Sequence, residues 1–174
     1  FLYCIFLGFS CFGNETDSLD SDYFSVSQTT FGGIGLIETP TARFSPDGEF
    51  VFGISKENPY NRLYGKVQFF PWMEAVLRYT EGTHKEYNPG AAQTWKDKGM
   101  DIKFRVFQEG RVLPELALGF IDFGGTGAFS SEYIVASKRF NNLDVTLGLG
   151  WGALGEKEHI KNPLGIFSDE YYDR

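Results

Sequence analysis

Residues 99–152 carry a polar–apolar alternation that few folds can satisfy. Met100, Ile102, Phe104 and Val106 share one parity, and Asp101, Lys103 and Arg105 share the other. Val145, Leu147, Leu149 and Trp151 alternate in the same way with Asp144, Thr146, Gly148 and Gly150. Side chains on a strand point to opposite faces with period two. The pattern therefore predicts four strands, at residues 99–109, 113–123, 129–140 and 144–151. Each has one apolar side and one wet or small side. A sheet of this kind either covers its apolar side with protein or hands it to lipid.

The pattern recurs upstream. Residues 49–55 place Phe50, Phe52 and Ile54 on one face. Residues 62–70 set Leu63, Gly65, Val67 and Phe69 against Tyr64, Lys66 and Gln68. Residues 72–80 set Met73, Ala75, Leu77 and Tyr79 against Glu74, Val76, Arg78 and Thr80. Pro71 falls in the tight turn between these two, where its missing N–H costs nothing. Residues 31–44, with three glycines and Pro40, read as a short strand and a turn. No helix stands out, although residues 152–161 have room for a turn or two before Pro163. The connections run long and short by turns: 56–61, the turn at Pro71, 81–98, 110–112, 124–128 and 141–143. An up-and-down sheet in an outer membrane sorts its loops this way, with short periplasmic turns and long external loops.

Aromatic residues make up 17% of the chain and glycines number 21, a mixture that suits strands joined by tight turns. A net charge of −7 without a polybasic run argues against a nucleic-acid partner. The two cysteines, Cys4 and Cys11, leave nothing downstream for a disulfide or a thiolate metal site. Residues 1–10 read as a truncated secretory signal segment: the apolar run 1–9 is too short for a membrane helix of about 20 residues, and Gly8 and Ser10 suit cleavage after Ser10. Lipid attachment at Cys11 stays open, although Gly8 and Phe9 fit a lipoprotein box poorly. Residues 11–30 read as a polar linker and residues 31–174 as the N-terminal part of a β-barrel domain. The absence of a starting Met and the polar end lead us to expect a fragment cut at both ends.

Signals of catalysis are poor. His84 and His159 lie far apart in polar stretches and read as solvated loop residues. No nucleophile elbow, P-loop or HExxH occurs. Residues 150–155 match GxGxxG after a strand, but a dinucleotide turn needs a following helix and parallel strand; here Pro163 and Gly165 intervene. The carboxylates Glu74, Asp101, Glu115, Asp122 and Glu132 would include an acid–base pair for glycoside hydrolysis only at the right separation. The plainer reading lines a wet face with them, beside Lys66, Arg78, Lys103 and Arg105, in charge pairs across strands. No catalytic residue, cofactor or metal is expected.

Four runs together resemble a known family: residues 33–43 (GIGLIETPTAR), 101–105 (DIKFR), 130–140 (SSEYIVASKRF) and 147–152 (LGLGWG). They are similar, in matching order, to the N-terminal part of the YjbH-like outer-membrane proteins of exopolysaccharide biosynthesis or export. The resemblance implies a Gram-negative outer-membrane β-barrel of several hundred residues, with a role in secreting a polymer made by a neighbouring biosynthetic system. No catalytic motif comes with it.

The expectation is an all-β, antiparallel up-and-down sheet forming part of a transmembrane outer-membrane β-barrel. Leu63, Val67, Leu77, Ile102, Phe104, Leu116, Leu118, Val145, Leu147 and Leu149 would face lipid. Lys66, Gln68, Glu74, Arg78, Asp101, Lys103, Arg105 and Glu115 would face the lumen of a passive polar conduit or scaffold. Trp72, Trp95, Trp151, Tyr79, Phe123 and Phe140 would sit near the interfaces, and loop residues Tyr87 and Trp95 are the glycan-stacking candidates. The expected partners are outer-membrane lipid, the exopolysaccharide and other secretion proteins. Two rivals share the periodicity: a soluble secreted β-sandwich that binds carbohydrate, and an outer-membrane barrel enzyme acting on glycan or lipid.

Overall fold

The computed structural model describes residues 5–11 (by backbone alone), 26–90, 92–155, 160–166 and 171. Eight strands form one antiparallel sheet: β1 (Ile5–Cys11), β4 (Phe50–Glu57), β5 (Tyr60–Phe70), β6 (Met73–Glu86), β7 (Thr94–Phe107), β8 (Glu115–Ile121), β9 (Ser131–Phe140) and β10 (Leu143–Gly152). Strands β2 (Gly35–Leu36) and β3 (Thr39–Pro40) make a separate two-residue hairpin. From β4 to β10 each strand pairs with the next in the chain, and β1 adds to the far side of β10. Strands β1 and β4 are the two edges, so the described residues do not close a barrel. The apolar run at the start of the chain, read as secretory, supplies the edge strand β1. A 3-10 turn at Pro163–Ile166 follows β10.

The alternation sorts side chains into a buried side and an exposed side. Lys66, Gln68, Glu74, Arg78, Asp101, Lys103 and Glu115 are buried and Arg105 is half-buried, all on one side of the sheet. Phe52, Ile54, Leu77, Leu118 and Leu147 are exposed on the other; Leu77 in mid-strand keeps 64% of its surface and Ile54 keeps 79%. The usual arrangement of a water-soluble sheet is thus inverted: charge is inside and hydrocarbon outside.

Large residues on the inner side lie across glycines of the neighbouring strand. A Cβ on Gly119 would sit 2.1 Å from the Tyr133 ring, and one on Gly53 2.5 Å from the Tyr64 hydroxyl. These pairs lie directly opposite in the registers of β8 with β9 and β4 with β5. The glycines make room for rings that fill the interior, an arrangement that pins register.

The connections correct the sequence reading. The first is the turn at Asn58 and Pro59, with a cis peptide bond, rather than residues 56–61. The expected long loop 81–98 is mostly ladder: Glu81 pairs with Lys96 and Gly82 with Trp95, leaving residues 87–93 as the connection. Cross-strand pairing overrides the local polarity that read as loop. The connection at 110–112 widens to 108–114, and that at 124–128 to 122–130. Long and short loops are therefore less cleanly sorted by parity than the sequence reading had them.

Candidate functional site

Residues 26–46 form an inlay along the polar side of the sheet. Ser55 Oγ on β4 donates to Thr30 O at 2.6 Å, and Tyr64 OH on β5 donates to Gln28 Oε1 at 3.0 Å. Ile34 N donates to Glu74 Oε1 on β6 at 3.1 Å, and Lys103 Nζ on β7 donates to Arg43 O at 2.8 Å. Ala42 N reaches Ser137 Oγ on β9 at 3.0 Å, and Arg43 binds Asp144 on β10. Strands β5 and β10 lie five places apart, about 24 Å in a flat sheet. They nonetheless bond neighbouring parts of one segment, Ser45 and Arg43, a span that a curled sheet shortens.

The local sequence of the inlay follows from this position. Gly35 has no room for a side chain, since a Cβ there would lie 2.3 Å from Thr39 O. Ile37 takes a left-handed φ of 51° in the turn between β2 and β3. Ala42 is fully buried, and Phe44 packs with Ala117, Ile121, Tyr133 and Val135 in a small apolar cluster on the covered side. Residues 26–30, assigned to the linker by composition, belong to the inlay, where Thr29 is buried. The rest of that linker, residues 12–25, lies outside the described residues.

Ion pairs engage the buried lysines and arginines. Arg43 is the hub: Nη2 lies 2.5 Å from Asp144, and Nη1 lies 2.6 Å from Glu109 and 2.9 Å from Glu115. Arg105 Nε also binds Glu115, at 2.6 Å. Lys103 pairs with Glu74 at 3.2 Å, Arg78 with Asp101 at 2.5 Å and Lys66 with Glu49 at 2.8 Å. Gln68 Nε2 donates to Phe70 O at 2.7 Å. A charge buried without such partners would cost several kcal/mol. Burial opposes protonation of the Arg43 guanidinium, but Asp144 and Glu109 outweigh it and raise its pKa further. Burial pushes the Glu109 carboxyl up, yet the Arg139 amide, Arg43 and Lys138 hold it below its ordinary range.

Each of the five carboxylates considered for acid–base work holds at least one partner, although Glu74 Oε2 and Asp122 Oδ1 have none among the described residues. Glu74, Asp101 and Glu115 hold cations, and Asp122 accepts Phe129 N at 3.1 Å. Glu132 departs from the wet-face assignment. Its parity is opposite to that of Tyr133, and it is buried on the other side of the sheet, where Asn162 Nδ2 donates to it at 3.0 Å. The chain after β10 folds back here, and Trp151 Nε1 donates to Ile160 O at 2.9 Å. This return could not be read from strand periodicity.

The aromatic candidates divide. Tyr87 is exposed on the 87–93 connection. Trp95 is not a loop residue: it lies on β7, over Gly82, in an inward-facing cluster with Tyr60 at 6.5 Å and Phe129 at 6.2 Å between ring centroids. Arg62 stacks on Phe31 in the same cluster, 4.4 Å from its centroid. His84 is exposed on β6 and meets Tyr60 edge-on at 5.5 Å, whereas His159 lies outside the described residues. At the opposite end, Trp72 stacks between Phe70 and Phe104, and Phe140 is exposed. The GxGxxG glycines serve a strand end. Gly152 has a φ of 72°, and a Cβ on Gly155 would lie 2.6 Å from Gly150 O.

Sequence reasoning missed the inlay's partners. Arg43 carried a signal, since it ends the most distinctive run in the chain, but nothing in that run names Glu109 or Asp144 as its acceptors. The geometry defines an all-β protein whose antiparallel sheet holds its charge on a covered inner face and its hydrocarbon on an open outer one. Residues 27–174 match the YjbH family model, described as exopolysaccharide biosynthesis protein YbjH. The chain belongs to this family. It is 46% identical over 149 residues to a protein of Escherichia coli (strain K12) named "Uncharacterized lipoprotein YjbH". That stretch covers 83% of this chain and 21% of the relative, so the chain spans about a fifth of the relative's length. No solved structure matches the chain.

Proposed function

We infer that the chain is part of an outer-membrane β-barrel that serves exopolysaccharide secretion, as a polar-lined conduit or scaffold without enzymatic action. The observation that carries this reading is the inverted sheet: Lys66, Gln68 and Lys103 buried on one side, Phe52, Ile54, Leu77 and Leu147 exposed on the other. Lipid rewards that distribution and water penalises it. The open edges at β1 and β4 would pair with further strands, because lipid leaves no water for an unpaired backbone group. Family membership supplies the polymer, and the relative's name as a lipoprotein supports a place in the cell envelope. The engaged carboxylates favour a non-enzymatic role.

In this reading the inlay lines and narrows the interior, and Arg43 anchors it to β10. Deleting the gene in a strain that makes the polymer tests the role. The expected result is less polymer outside the cell and more retained within it, restored by the full-length gene. Unchanged secretion would overturn the reading.

A further inference from the structure

The inlay does not fill the inner face evenly. Beside the 108–114 connection a cavity of about 470 Å³ opens. Arg43, Arg105 and Arg139 line it together with Glu109, Glu115 and Gln108. Its volume falls within the range of about 300–1,000 Å³ typical of small-ligand sites. The rest of the lining is largely apolar, with Val26, Phe44 and Pro46, so charges of both signs sit beside hydrocarbon. Three guanidiniums beside two carboxylates suit neither a polyanion nor a polycation.

The polar groups are also held in place. Arg43 Nη1 bonds Glu109 at 2.6 Å and Glu115 at 2.9 Å, and Arg105 Nε lies 2.6 Å from Glu115 as an ion pair. Glu109 Oε1 accepts the Arg139 amide at 3.0 Å and lies 3.0 Å from Lys138 Nζ. Groups fixed by one another lose little freedom when a ligand arrives. Planar forks and carboxylates at set positions present donors and acceptors together, which is what adjacent hydroxyls on a sugar ring require. The cavity lies at the same end as the Pro71 and Asn141–Asn142 turns, which the secretion reading puts in the periplasm.

We propose that this cavity is a binding site for a short, uncharged, hydroxyl-rich stretch of the polysaccharide, taken up at the periplasmic end through the Arg43–Glu109–Glu115–Arg105 array. The inference rests on the secretion reading above and adds to it a place and a ligand class. Gln108, exposed at the cavity, offers a way to block the site while leaving the ion pairs intact.

The test uses the full-length protein in detergent micelles, titrated calorimetrically with oligosaccharides released by mild acid from the polymer the producing strain secretes. The wild type should bind saturably. Gln108→Trp, which fills the opening, and Glu109→Gln, which removes one acceptor charge, should each weaken binding by roughly tenfold or more. Gln93→Trp, at the opposite end of the sheet, should bind as the wild type does. No saturable binding to the wild type, or equal affinity in Gln108→Trp and the wild type, would overturn the site. A binding failure alongside lost secretion in the deletion strain would sink the site alone, whereas unchanged secretion in that strain would count against the role itself.

Discussion

Arg43 shows how one residue can hold a segment against a sheet. Its guanidinium gathers Glu109, Glu115 and Asp144, from one connection and two strands. Arg43→Ala would take the guanidinium from Asp144 and leave Glu115 to Arg105 and Glu109 to Lys138. Because Arg43 is half-buried and two of its partners keep other cations, the expected cost is about 1–3 kcal/mol, below that of a fully buried pair broken from one side. Unfolding in detergent, followed by intrinsic fluorescence, measures it; a cost within experimental error would mean that Arg43 does not anchor the inlay. Acid should loosen the same contact. The Glu109 carboxyl sits below its ordinary range when folded. Its stabilisation is therefore present above the unfolded carboxylate pKa and is lost as pH falls through the lower, folded value. In Glu109→Gln the acid limb of the stability profile should be shallower, and an unchanged limb would contradict the assignment.

At the scale of elements, the strand faces test the environment directly. Leu77 lies in mid-strand with 64% of its surface exposed. In water, Leu77→Arg at such a site would change stability by no more than about 0.5 kcal/mol. Facing lipid near mid-membrane, it should cost about 2–4 kcal/mol. Refolding into lipid vesicles under a denaturant series separates the two. Thr146 is a poor control for this comparison although its parity marks it as wet: it is buried beneath the inlay, where its hydroxyl bonds Ser137 Oγ at 2.7 Å. Loop placement is open to labelling. Gln93→Cys should react with a membrane-impermeant thiol reagent on intact cells, and Asn141→Cys only once the outer membrane is opened. Labelling of both only after opening would reverse the orientation or remove the barrel.

Strand phase was legible because period two leaves so few alternatives once Ile102, Phe104, Leu147 and Leu149 are placed. Register and loop ends were less so. The polar residues 81–86 read as loop until Trp95 is seen across Gly82, a pairing between residues distant in the chain. The inlay was the hardest to foresee. Residues 33–43 carry a local turn signal, but their fit over Glu74, Lys103 and Ser137 is a long-range match with no periodic trace.

At the scale of the molecule, the distribution of charge and hydrocarbon is the strongest feature. Buried lysines and arginines are each matched by a carboxylate or a carbonyl, while leucine, isoleucine and phenylalanine face outward along β4, β6, β8 and β10. An outward hydrocarbon surface on this scale invites aggregation in water and fits a bilayer. The central claim is that the outer face meets lipid. Fractionation of cells making the full-length protein tests it most directly. The account predicts that the protein sediments with the outer membrane, resists extraction by salt and alkali, and dissolves only in detergent. Recovery from the soluble periplasmic fraction without detergent would contradict it.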